Sequence, residues 1–178
     1  MSRQYFGDVI TEPVNASFGT ITATTEQILI PTVYTAIPAN EPRAGKVYEL
    51  TCGGTCTTGL AGSLILNARY ATTITTPILA TSPTQQYVPS ITNAPFLFRG
   101  YLIFRSIGLA GANSTAIFTG KWESGGAIAT ASSQTSVQLT SSAAVSVDTS
   151  IASALCLTVT FSVAPSVIPF WHCWRSLN

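Results

Sequence analysis

The chain has 178 residues, of which 46% are hydrophobic and 8% charged, with a net charge of +1. That is enough apolar material for the core of one domain, and too little basic charge for sequence-independent nucleic-acid binding, which needs a concentrated cationic surface. Lys46 and Lys121 are the only lysines, and the six arginines are scattered. An average domain carries roughly 25% charged residues; here Thr, Ser, Ala and Gly stand in their place. Such a surface has little charge repulsion to keep it from associating, which points to a subunit that buries much of its exterior in a larger assembly. No apolar run approaches the ~20 residues of a membrane-spanning helix. Met1 to Asp8 lacks the apolar segment of a secretory signal, so the expectation is synthesis in a cytoplasm, where the chain stays or which it leaves by another route such as cell lysis.

Residues 1–25 hold Gly7, Pro13 and Gly19 among many Thr and Ser, with no persistent period. They read as an extended N-terminal arm ahead of one domain over residues 26–178. Arg3, Tyr5, Phe6, Val9 and Ile10 are its candidate contacts with a neighbouring subunit, the aromatics as anchors. Glu26 to Val33 reads as the first strand, with Pro31 marking an edge or bulge. Ile37 to Gly45 is a loop by composition. Lys46 to Cys52 alternates, and Cys52-Gly53-Gly54-Thr55-Cys56 reads as a turn or a bulged strand end. Ser63 to Tyr70 alternates again, with Leu64, Leu66, Ala68 and Tyr70 on one face. Residues 71–95 are punctuated by Pro77, Pro83, Pro89 and Pro95 and read as a long surface excursion with one short strand near Gln86 to Val88. Loops of that length often carry function.

The strongest signal runs from Phe96 to Trp122. Phe96, Phe98, Gly100, Leu102 and Phe104 alternate with Leu97, Arg99, Tyr101, Ile103 and Arg105. Alternate side chains of a strand point to opposite faces, so one face is apolar and the other carries both arginines. After the turn formers of Gly108 to Ser114, the chain returns with Ala116, Phe118, Gly120 and Trp122 on one face. Gly125-Gly126 turns the chain, Thr135 to Leu139 alternates, and Val145 and Val147 suggest a short strand. Leu155 to Val163 alternates most cleanly of all, and Val167 to Arg175 forms a last strand. Eight to ten strands and no helical period predict an all-β protein, an antiparallel β-sandwich. Jelly-roll connectivity is expected first and an immunoglobulin-like Greek key second.

Candidate chemistry is sparse. Cys52, Cys56, Cys156 and Cys173, with His172, raise zinc and disulfide readings. Cys156 and Cys173 form no zinc knuckle, and small, buried or half-buried side chains are the expectation for them; a Cys52–Cys56 bridge formed after lysis stays open. His172 lies in an aromatic strand, and no Gly-x-Ser-x-Gly elbow exists, so packing is its expected role. Of the seven carboxylates, Glu49 and Glu123 fall on strand faces opposite the apolar set. They are expected to be solvated or paired with Arg69, Arg99 or Arg105 rather than to act as a glycosidase pair. No P-loop or dinucleotide fingerprint is present. No enzyme, cofactor or metal site is therefore expected. Trp122, Trp171, Trp174, Tyr70 and Tyr101 are weighed as a sugar platform, with Trp122 placed in the core. Tyr87, in Gln85-Gln86-Tyr87 of the long excursion, is the freer candidate for a glycan or a partner surface.

Several phrases carry a resemblance. Ser17-Phe18-Gly19-Thr20 with Ala23-Thr24-Thr25-Glu26, Tyr34-Thr35-Ala36-Ile37-Pro38-Ala39-Asn40 and Arg43-Ala44-Gly45-Lys46 resemble small β-rich virion proteins of tailed bacteriophages, especially those infecting actinobacteria. Ser106-Ile107-Gly108, Gly111-Ala112-Asn113-Ser114-Thr115 and the ending Arg175-Ser176-Leu177-Asn178 fit the same pattern. The resemblance implies a non-enzymatic virion component. Its expected role is a capsid decoration or minor capsid protein, bound to the major capsid protein on the outer shell as a homo-oligomer, with a trimer favoured. A receptor- or glycan-binding module of a head fibre or tail, engaging a cell-surface glycan, is the alternative.

Overall fold

The computed structural model describes the backbone of residues 9–11 and, with side chains, residues 19–109, 112–125 and 136–178. Thirteen strands are present among them, with one short 3-10 turn at Thr32–Thr35. In chain order they are β1 (Val9–Thr11), β2 (Gln27–Ile28), β3 (Ala36–Ile37), β4 (Val47–Thr58), β5 (Gly62–Tyr70), β6 (Ile78–Thr81), β7 (Gln85–Tyr87), β8 (Ile91–Ser106), β9 (Ser114–Ser124), β10 (Ser136–Thr140), β11 (Val145–Val147), β12 (Ser153–Phe161) and β13 (Ser166–Ser176). They form two antiparallel sheets packed face to face. Sheet A has the order β1-β13-β4-β8-β9-β10, with β11 also on β9; sheet B has β2-β12-β5-β6, with β3 also on β12 and β7 also on β5. The fold is thus an all-β sandwich. The closing strand β13 returns to lie beside β4, so sheet A runs β13-β4-β8-β9. The step from β4 to β8 is made through β5, β6 and β7 of sheet B.

The central hairpin has the expected faces. Phe98 pairs with Trp122, Leu102 with Phe118 and Phe104 with Ala116, and all six are buried. Phe96 stacks on Trp122 with ring centroids 4.1 Å apart. Gly100 stands opposite Gly120, and a Cβ on either would strike the rings of Phe98 or Phe118 within 3.0 Å. The glycine pair therefore lets these two rings lie across the backbone. On the flank, Trp174 of β13 stacks on Tyr48 of β4 at 5.2 Å. From sheet B, Leu64, Leu66, Leu155, Leu157, Val159 and Phe161 close the core.

Four local expectations are corrected. Glu26 to Val33 is not one strand: only Gln27–Ile28 pairs, with β12. Leu29 and Ile30 are both buried, which a pleat cannot do with consecutive residues on one face, and Pro31 donates nothing to a ladder. The Cys52 to Cys56 stretch is not a turn. β4 runs straight through it, because Gly53 and Gly54 admit the neighbouring strand closely: a Cβ on Gly53 would meet the Trp171 indole at 2.8 Å, and one on Gly54 the Ile168 carbonyl. Opposite them β13 bulges between Pro169 and Trp171. The excursion 71–95 contains two short strands, β6 and β7, and β8 already begins at Ile91. Finally, Thr158, on the outward side of β12 by alternation, is fully buried, and Cys156, two residues before it on the same side, is buried as expected.

Within the stretch read as an arm, β1 pairs with β13 of its own chain, Val9 across from Arg175. Ile21 forms a bridge with Val167 and is buried. Arg3, Tyr5 and Phe6 lie outside the described residues.

Candidate functional sites: a buried Cys–His pair, an ion-paired outer face and an apolar end

The residues with the most chemistry are brought together, but inside the core. His172 of β13 is the cross-strand partner of Cys52 of β4, and both are wholly buried. The Tyr34 ring packs on the imidazole at 4.9 Å. Burial pushes the Cys52 thiol far up and the His172 imidazole below its ordinary value. An activated thiolate needs the reverse on both counts, and a substrate would have to enter the core to reach the pair. Cys56 and Cys156 are pushed up to about 11 by burial. Cys52 and Cys56 lie four residues apart on one strand, roughly 13 Å along it. That is beyond the ~7 Å a disulfide can span, so the bridge left open in the sequence is ruled out. All four cysteines are free thiols.

The carboxylates resolve into ion pairs. Glu49 is buried and is held by the Arg175 guanidinium, with Arg99 Nε 3.4 Å away. Arg99 was an expected partner and Arg175 was not. Strand alternation does place Arg175 on the same face, but its register across from Glu49 depends on the β13 bulge. Glu123 pairs with Lys121 two residues away at 2.6 Å. Arg69 turns instead to Glu26. Its Nη2 donates to both carboxylate oxygens, at 2.8 and 2.9 Å, and Asn67 Nδ2 donates at 3.0 Å. The Thr158 hydroxyl also donates to Glu26. Burial alone would raise this carboxyl, but the hydrogen bonds from Thr158, Arg69 and Asn67, with the Arg69 charge, outweigh it and hold the group below its ordinary value. This cluster covers the outer side of sheet B, and explains why Thr158 is buried on a face that alternation assigns to solvent.

The aromatic candidates separate. Trp122, Trp174 and Tyr70 are core residues. So is Tyr87, contrary to its reading as a free side chain on a loop. It lies on β7, packs edge-on against Phe161 and donates to the Val163 carbonyl at 2.8 Å. Its burial removes it from any stacking platform. Tyr101 and Trp171 remain half-buried on the outer face of sheet A.

That face has a regular grid. One row runs Cys173, Thr51, Arg99, Lys121, Gln138; the next runs Arg175, Glu49, Tyr101, Thr119, Thr140. Over β8, β9 and β10 the grid encloses an open trough of about 430 Å³, walled by Leu97, Arg99, Tyr101, Lys121 and Gln138.

A second surface lies at one end of the sandwich. The loops between β5 and β6, β8 and β9, and β11 and β12 meet there. Thr149 of the β11–β12 loop meets the Ser114 hydroxyl at the head of β9 at 3.0 Å, and its carbonyl accepts from the Asn40 amide of the β3–β4 loop at 2.8 Å. The Ala71 amide after β5 donates to the Ala154 carbonyl of β12 at 3.0 Å, and Thr32 donates to the Thr72 carbonyl at 2.8 Å. Five of the eight exposed large apolar side chains among the described residues, Val33, Ile74, Ile107, Leu109 and Ile151, belong to this end, with Leu109 95% exposed. No group of three or more His, Cys, Asp or Glu placed to hold a metal occurs among the described residues, and no helix there is long and apolar enough to cross a membrane. No protein-family model matches the chain, and no curated protein is significantly similar to it.

Proposed function

We propose that this chain is a non-enzymatic structural protein of a phage virion, a decoration or cement protein on the outside of the capsid. It acts as a symmetric oligomer, with a trimer favoured, bound to the major capsid protein. The observation that carries the reading is the apolar end built from Val33, Ile74, Ile107, Leu109 and Ile151, on a chain with few charges to oppose association. Scattered exposed apolar residues are ordinary, whereas a concentration of them marks an interaction surface. At roughly 25 cal/mol per Å² of apolar area buried, a modest contact repeated over a shell adds a large total resistance to bursting.

The sheet edges favour docking by this end over strand addition. The edge strands β1, β2, β3, β6, β7, β10 and β11 have five residues or fewer, while the strands of nine or more are interior. Short edges are poor templates for pairing with another chain.

Quantitative mass spectrometry of purified virions tests the reading. A copy number near a simple fraction of the major capsid subunits is expected, and a Leu109→Ser, Ile151→Ser double variant should lose occupancy while staying folded. A handful of copies per particle would move the protein to a tail or fibre, and absence from the particle would remove the virion reading.

A further inference from the structure

We propose that the trough on the outer face of sheet A binds an acidic oligosaccharide, with Arg99 and Lys121 taking its anionic groups and Tyr101 supporting a sugar ring. This inference stands apart from the capsid reading.

Arg99 and Lys121 stand directly opposite each other on β8 and β9, with side chains 56% and 49% exposed. Like charges directly across a strand pair are destabilising, and a locally unfavourable arrangement is expected where a site is kept for binding. Neither cation is buried in a structural ion pair. Arg99 meets Glu49 Oε1 through Nε at 3.4 Å, while Arg175 on the other flank of β4 holds Oε2 of that carboxylate, so Nη1 and Nη2 of Arg99 are not engaged by Glu49. Lys121 pairs with the exposed Glu123, and such a surface pair contributes little that an incoming anion could not replace. Within the two grid rows and the trough, Arg99, Lys121 and Arg175 stand against Glu49 and Glu123, three cations to two carboxylates.

The surroundings select the rest of the ligand. Tyr101 and Leu97 offer apolar surface to the C–H face of a sugar ring. Gln138, Thr119 and Thr140 offer an amide and hydroxyls, the last two already joined at 3.1 Å. A binding site of this kind combines apolar walls with a few placed polar groups. A peptide adding as a strand finds no purchase on the floor, because β8 and β9 are each paired on both sides. A nucleic acid would demand a far denser basic surface.

The test is isothermal titration of the full chain with short oligogalacturonates, with neutral galacto-oligosaccharides of matched length, with inorganic phosphate and with polyglutamate. Saturable binding of the oligogalacturonate is expected, weakening as salt is raised. Arg99→Gln and Lys121→Gln should each reduce affinity about tenfold, the loss of one charge-assisted hydrogen bond. Both positions are exposed, and unchanged circular dichroism certifies their fold. Tyr101→Ala should reduce affinity further. The proposal is overturned if the acidic sugar does not bind, if the neutral sugar, phosphate or polyglutamate binds as tightly, or if the Arg99 and Lys121 variants bind like the parent.

Discussion

His172 on β13 stands directly across from Cys52 on β4, both wholly buried between the sheets. The juxtaposition has the composition of a nucleophilic pair and the electrostatics of a core. Burial keeps the Cys52 thiol protonated and pushes Cys56 and Cys156 up to about 11. Alkylation of the native protein at neutral pH, read by peptide mass spectrometry, should label Cys173, which is half-buried on the outer face of sheet A, well before the other three. They should react at the rate of unfolding. Rapid labelling of Cys52 in the native state would show that the sheets open there.

The same burial makes the protein sensitive to acid. The folded imidazole of His172 lies below its ordinary value of 6.5, so the unfolded chain takes up its proton first as pH falls. Its contribution is present in full above about 6.5 and is lost progressively below it. Glu26 has a lowered folded value as well. Its stabilisation is present above the unfolded carboxylate range and is lost at lower pH, as its own folded carboxyl protonates. Denaturant midpoints measured from pH 7 downward should therefore fall in two stages, and His172→Phe should flatten the first. A midpoint constant from pH 7 to pH 5 in the parent would contradict the burial of a neutral imidazole.

Arg69 is 7% exposed, and its charge is answered by Glu26 through two donors. Glu26→Gln leaves that cation buried without a counter-charge and should cost about 3 kcal/mol, the lower end for breaking a buried pair. Lys121→Ala breaks an exposed bridge and should cost less than about 1 kcal/mol. Urea unfolding of the two variants side by side measures the contrast, and equal losses would sink the account of the Glu26 cluster as a lock on the outer side of sheet B.

Gly54 has no room for a side chain, since an added Cβ would run into the Ile168 carbonyl. Gly54→Ala should destabilise by about 1–3 kcal/mol as the β4–β13 ladder gives way. Gly59→Ala, where a Cβ meets nothing within 4 Å, should leave the melting temperature unchanged within error. A neutral Gly54→Ala would mean that β13 can shift its bulge at no cost.

Alternation alone is enough to place the strands whose pleat it follows. Phe96, Phe98, Leu102 and Phe104 against Arg99 and Tyr101 predict both the β8–β9 hairpin and its buried face, because side-chain direction in a strand is a local, two-residue property. The same parity places Arg99, Lys121 and Glu123 together on the outer face. Tertiary structure decided everything that depends on a neighbour far along the chain. Tyr87 is buried because Phe161 and the Val163 carbonyl come to it from another strand. Cys156 and Thr158 are buried because Glu26, Asn67 and Arg69 gather over a face that alternation assigns to solvent. Arg175 reaches Glu49 through a bulge that no period announces. The loops that bring Ile107, Leu109 and Ile151 to one end are joined by hydrogen bonds between residues tens of positions apart. Periodicity reports which way a side chain points; only the packing of the two sheets decides what it meets there.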